Sequence, residues 1–70
     1  MMNKTPFDPE EIVTLPGHGK MTLRGAVAKV MNLRSQNLEA YVLAAIFRDG
    51  DPPILDLPQI EVLAGEWGLR

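Results

Sequence analysis

Cysteine is absent from this chain of 70 residues, and histidine occurs once, at His18. The lack of cysteine excludes disulfide bridges, thiolate metal sites and a cysteine nucleophile. A single histidine leaves no pair of imidazoles for a zinc site, and no acid or nucleophile is positioned near it in sequence. We therefore predict that the chain is not an enzyme and has no metal or other cofactor.

Long apolar segments and a strong charge of one sign are also missing. The longest apolar run falls far short of the roughly 18–20 residues that cross a bilayer, and the start of the chain lacks the apolar stretch of a signal peptide. The net charge is -2 and aromatic residues make up 6% of the chain, which excludes a basic nucleic-acid tail and an acidic disordered chain. We expect a cytoplasmic protein without a membrane segment.

The length of the chain allows one small domain. A chain of this size buries only about 60% of the surface of its unfolded state, and its core supplies roughly 3–5 kcal/mol of net stability. Pro6 and Pro9 indicate a flexible N-terminal arm over residues 1–9. Residues 10–70 then form a single globular domain.

Apolar periodicity predicts three helices, over about residues 22–33, 36–48 and 57–67. Thr22 is the N-cap of the first, and Asp56 with Gln59 forms the capping box of the third. The stripe of the first helix consists of Leu23, Ala26, Val27, Val30 and Met31. The predicted fold is a mainly α, compact three-helix domain. Residues 11–15 and 53–56 also have enough extended character for a short two-stranded pairing.

The apolar run from residue 40 to residue 47 makes the second predicted helix unusual. One face carries the stripe of a core helix, which is Leu38, Tyr41, Val42, Ala45 and Ile46. The opposite side is apolar as well, because Leu43 and Phe47 lie one turn apart with Ala40 beside them. Short apolar runs do not separate helix from strand, so residues 42–48 have a second interpretation as a buried strand. We favour the helix because Leu, Glu and Ala dominate its start.

Ala40, Leu43 and Phe47 are the candidate partner-interface residues. Either helix one covers one face and helix three covers the other within a monomer, or another protein covers the second face. Our leading hypothesis is a small non-catalytic interaction or regulatory module that forms a homodimer or docks on a partner protein. Each fully buried Leu or Phe contributes about 1.5–3 kcal/mol, so covering these side chains matters to a marginal fold.

Two loops contain residues typical of ligand sites but lack the required spacing. The flexible connector Gly17-His18-Gly19-Lys20 precedes a helix, as phosphate-binding loops do. The first glycine of a P-loop and its hydroxyl residue after the lysine are both missing. The carboxylates of Asp49, Asp51 and Asp56 lack the glycine and glutamate spacing of an EF-hand. We predict neither a phosphate site nor a metal site.

The alternative function is a nucleic-acid-binding regulator that uses the basic segment 20–34. No acidic residue lies between residues 12 and 38. The candidate anion or nucleic-acid contacts are Lys20, Arg24, Lys29 and Arg34. Arg24 and Lys29 diverge by more than a third of a helical turn, so they form no concentrated patch. Helix-turn-helix and ribbon-helix-helix arrangements fit poorly, since the elements facing DNA would be apolar or acidic. We favour a solvated helix face.

Overall fold

Four short strands form an antiparallel sheet in the computed structural model, which describes residues 7–69. In chain order the elements are β1 (Ile12–Leu15), β2 (Gly19–Thr22), α1 (Leu23–Gln36), α2 (Leu38–Val42), β3 (Ile46–Phe47), β4 (Ile54–Leu55) and α3 (Leu57–Trp67). The strands are arranged in the order β2-β1-β3-β4. The fold is mixed α/β, and the prediction of a mainly α three-helix domain is wrong.

The first two strands form a hairpin that the sequence reading missed. β1 and β2 are joined by a tight turn in which the His18 N–H donates to the Leu15 carbonyl at 2.9 Å. Pro16 and Gly17 are the central residues, and Gly17 has the positive φ, +86°, that a type II turn requires at its third position. The flexible connector predicted over residues 17–20 is therefore a structured turn followed by the start of a strand.

α1 and α3 form where the sequence predicts them, because side-chain caps fix both starts. The Thr22 hydroxyl accepts a hydrogen bond from the Gly25 N–H at 3.1 Å, and Asp56 and Gln59 complete a capping box before α3. α3 ends at Gly68, which has a left-handed φ of +70°. The predicted stripe of α1 is buried in full: Leu23, Ala26, Val27, Val30 and Met31.

The second predicted helix, over residues 36–48, is wrong beyond its first turns. α2 is only five residues long, and its N-cap is Asn37, whose side chain accepts from the Ala40 N–H at 3.1 Å. The chain then enters β3, so the strand interpretation of residues 42–48 is correct where β3 forms. Pairing on both sides of β3 buries Ile46 completely. The free energy gained from strand pairing and from the burial of Ile46 outweighs the helix propensity of the segment.

The pairing expected between residues 11–15 and 53–56 does not form directly. β3 lies between β1 and β4 and is antiparallel to both. Both predicted segments therefore belong to one sheet. The strand between them, β3, lies in the segment that was predicted to be helix two.

The sheet and the two longer helices form two layers around the core. Four side chains from the inner face of the sheet are at most 4% exposed: Val13, Leu15, Ile46 and Leu55. They pack against the buried stripes of α1 and α3. Since side chains alternate along a strand, the residues beside them lie on the outer face of the sheet.

The two ends of the described chain also pack on this core. Phe7 and Trp67 are both partly buried against it. The arm predicted over residues 1–9 falls largely on residues 1–6, which lie outside the described residues. Within residues 7–69, no helix is long and apolar enough to span a membrane.

Candidate protein-interaction surface

The outer face of the sheet is exposed and apolar at its centre. Ile12, Phe47 and Ile54 remain 58%, 44% and 47% exposed, respectively. Strand register places Phe47 directly beside Thr14 on one side and Ile54 on the other. Thr14 in turn pairs with Lys20 on β2, so one row of side chains crosses all four strands. The row is apolar over β3 and β4 and ends in a positive charge at the β2 edge.

An open groove borders this face, with a volume of about 690 Å³. Its apolar lining consists of Leu15, Leu33, Ala40, Leu43, Ala44 and Phe47. α1 supplies Leu33 from its last turns, whereas α2 ends just before Leu43. Leu43 is 74% exposed, so its side chain extends from the wall of the groove into solvent.

Phe47 connects the groove to the sheet face. It lines the groove and also a second depression of about 430 Å³, which includes Ile12, Lys20 and Asp49. The two depressions are thus parts of one surface with Phe47 at their junction. We call the surface formed by Ile12, Ala40, Leu43, Phe47 and Ile54 the apolar surface.

Arg48 fixes the strand that carries Phe47. Its Nε and Nη2 atoms donate to the two carboxylate oxygens of Glu11 at 2.9 and 3.0 Å. Its Nη1 atom donates to the Pro52 carbonyl at 2.8 Å, and its guanidinium lies 4.8 Å from the centre of the Phe7 ring. This bidentate, charge-assisted contact ties β3 to the start of β1 and to the following loop. It holds Phe47 in a fixed outward position.

The electrostatics of this contact favour a permanently charged Arg48. The hydrogen bonds that Arg48 donates to Glu11 raise the pKa of Arg48 above its ordinary value, against the opposing effect of burial. The Arg48 side chain is 9% exposed and that of Glu11 is 22% exposed. Such a pair is screened less than a surface ion pair.

The three candidate interface residues lie together, although not on one helix. Ala40, Leu43 and Phe47 all line the groove. Ala40 is half-buried, whereas the other two are exposed. α2 and β3 each supply part of the set, so the predicted second face of a helix is in fact the junction of a helix end and a strand.

Sequence reasoning missed the contribution of the sheet to this surface. Ile12 and Ile54 are exposed on the outer face, next to buried Val13 and Leu55. The alternating pattern of a half-buried strand was the available signal. In the two-residue strand β4 that pattern is too short to be recognised.

The four predicted anion contacts are dispersed, and two of them contact other side chains. Arg24 lies 3.3 Å from the carboxylate of Glu10, and the Arg34 guanidinium is 5.9 Å from the centre of the Tyr41 ring. Lys20 lies on β2 and Lys29 on the exposed side of α1. These positions give no concentrated positive surface for a phosphate backbone.

The polar residues that were considered as ligand sites are exposed or have a structural role. His18 is exposed beside the hairpin turn, and Asp56 caps α3. Among the described residues no group of three or more His, Asp or Glu side chains is arranged to hold a metal ion. The same part of the chain has no buried side-chain nitrogen or oxygen atom without a hydrogen-bond partner. The apolar surface is therefore the feature that needs explanation.

No protein-family model matches the chain, and neither the curated proteins nor the solved structures contain a significant match.

Proposed function

We propose that the protein is a small non-catalytic interaction module that binds another protein chain through the apolar surface. The observation that carries the proposal is the position of Phe47 at the junction of the groove and the sheet face. A contiguous exposed apolar area that is bordered by polar residues is typical of protein interaction sites. The proposed partner covers both depressions at once.

The free energy available from covering this surface supports the proposal. Ile12, Leu43, Phe47 and Ile54 are between 44% and 74% exposed. Since full burial of each is worth about 1.5–3 kcal/mol, their exposed parts leave roughly 3–7 kcal/mol unused. The whole core of a chain this size supplies a net stability of only about 3–5 kcal/mol. The gross hydrophobic gain from covering the surface is thus of the same order as the net stability of the fold, and the cost of association is subtracted from that gain.

The edges of the sheet are less suited to binding than its face. β2 is a four-residue edge strand that carries a lysine, a side chain that commonly discourages strand addition. β4 is two residues long and lies between Pro53 and the capping residue Asp56. Neither edge offers a long row of backbone groups to an incoming strand. Side-chain packing on the apolar surface is the mode of binding that this geometry favours.

Two measurements on the full chain test the proposal. Sedimentation velocity over a concentration series detects self-association, and selection from a displayed peptide library on the immobilised chain detects other partners. The double variant Leu43→Asp with Phe47→Asp should lose both, because charges then occupy the centre of the surface. Circular dichroism should show an unchanged fold, since Leu43 is 74% exposed and Phe47 lies on the outer face of the sheet, outside the buried core.

Val62→Asp is the matched control. Val62 is 60% exposed on α3, so it receives one aspartate at similar exposure outside the apolar surface, as each single variant, Leu43→Asp or Phe47→Asp, does within it. This variant should bind like the unchanged chain. A chain that stays monomeric and selects no peptide dependent on Leu43 and Phe47 would contradict the proposal.

A further inference from the structure

We infer that the partner is a second copy of this chain, and that the two copies pack their apolar surfaces together about a two-fold axis. This inference rests on the proposed function and names the occupant of that same surface. Two features of the described residues support it: the distribution of charge on the sheet face, and the area that a stable dimer requires.

Charges on the sheet face have a self-complementary arrangement. Lys20 and Asp49 line the same depression over the sheet, together with Arg48, which is paired with Glu11, and the apolar residues Ile12, Val13 and Phe47. Lys20 lies on β2 at one edge, whereas Asp49 follows β3 on the other side of β1. Within residues 7–69 neither of the two makes an ion pair. Each is thus available to a charge on another molecule.

A two-fold axis parallel to the strands uses both charges. Rotation about such an axis, placed between β1 and β3, sets β2 of one copy opposite β4 of the other. By the strand register Lys20 of each copy then lies opposite Ile54 of the other copy and diagonal to Asp49, which follows β3. A diagonal contact between Lys20 and Asp49 is therefore available twice in the symmetric interface. Phe47 and Thr14 of the two copies face one another between these contacts.

The area of a stable dimer requires the whole apolar surface. A standard interface buries about 800 Å² per partner, and the accessible surface of the chain is 4333 Å². Roughly a fifth of the accessible surface of each copy must therefore be covered. The outer face of a sheet with strands of two to four residues is smaller than this area. The groove beside the sheet supplies the additional area. Leu43 of one copy lies at the border of that contact, where it extends the packing beyond the strands.

Charge exchange on the full chain tests the inference by sedimentation equilibrium. We expect the unchanged chain to dimerise. Lys20→Glu or Asp49→Lys alone should weaken the dimer about tenfold, because each turns two attractive contacts into two repulsive ones. The double variant that carries both changes should return to within about threefold of the unchanged chain, since the pairs are restored with reversed sign.

Two further substitutions control for net charge. Lys29→Glu and Glu66→Lys make the same changes at exposed positions of α1 and α3, and both should leave the dimer unaltered. Circular dichroism confirms that every variant is folded.

Three results would overturn the inference. They are a chain that stays monomeric up to about 1 mM, a folded double variant that does not recover, and controls that weaken the dimer as much as the test variants. A monomer that still selects peptides through Leu43 and Phe47 would refute the dimer alone and leave the proposed function in place.

Discussion

Val42 and Ile46 lie one helical turn apart in sequence, and their different environments give the sharpest test of the fold. A continuous helix over residues 36–48 would place both on the same buried stripe. The structure buries Ile46 completely and leaves Val42 54% exposed. Removing carbon atoms at the two positions should therefore have very different effects on the free energy of unfolding.

The expected magnitudes follow from burial. Ile46→Ala should cost about 2–5 kcal/mol, because it opens a cavity in the core. Val42→Ala removes two carbon atoms, each of which contributes about 0.8 kcal/mol when it is fully buried. Because Val42 is already 54% exposed, only about half of that contribution is lost. Alanine also has the higher helix propensity by up to about 0.7 kcal/mol at this position in α2. The net cost of Val42→Ala should thus lie between about 0 and 0.8 kcal/mol.

Urea unfolding followed by the fluorescence of Trp67 measures both costs. With a slope of about 1 kcal/mol per molar for a small domain, Val42→Ala should lower the midpoint by less than about 1 M. Ile46→Val is the milder core variant for the case in which Ile46→Ala does not fold, and it should cost about 0.5–1.5 kcal/mol. A Val42→Ala cost of 2 kcal/mol or more would refute the strand assignment of β3.

Other expected outcomes concern the contacts that hold the elements together. Arg48→Met should lower the free energy of unfolding by about 1.5–3 kcal/mol, because it leaves the Glu11 carboxylate without its charge-assisted partner. The pKa of Arg48 is raised in the folded state, so the stability that its charge contributes is complete below the unfolded-state pKa and is lost only in strong alkali. The difference in urea midpoint between Arg48→Met and the unchanged chain should therefore be the same at pH 7 and at pH 9. Tyr41→Phe removes the hydroxyl that donates to Glu61 and should cost about 1 kcal/mol by thermal unfolding. Gly68→Ala places a β-carbon at positive φ and should cost about 1 kcal/mol in the same assay. Gel retardation of duplex DNA at low salt should be absent, since the basic side chains are dispersed.

The elements with local caps could be predicted from the sequence. Thr22, Asp56 and Gln59 make hydrogen bonds within a few residues of themselves, so their pattern is complete in the sequence. The stripe of α1 is likewise visible because fourteen residues repeat it several times. α1 and α3 could therefore be located without knowledge of the rest of the chain.

The sheet could not be predicted in the same way, because its strands depend on distant partners. β3 has two residues, and its stability comes from pairing with β1 and β4 rather than from its own sequence. Gly19 and Lys20 in β2 have weak strand propensity and become extended through pairing with β1. Ala40, Leu43 and Phe47 were predicted to share one face of a continuous helix, whereas Ala40 lies in α2 and Phe47 lies in β3. Phe47 was still placed away from the core, because a strand and a helix both point it in a different direction from Ile46.

The outward apolar positions of the sheet are not requirements of the fold. Thr14 occupies the same row as Phe47 and shows that a hydroxyl residue with high strand propensity fits there. A threonine at the position of Phe47 or Ile54 would keep the inward pattern intact, because alternate residues of a strand face opposite sides. The fold thus explains why Ile46 and Leu55 are apolar, but it does not explain their outward neighbours. In a chain with so little stability to spare, the exposed Phe47 between two depressions is the observation that the proposed partner would explain, and the proposed second copy would also give Lys20 and Asp49 an opposite charge.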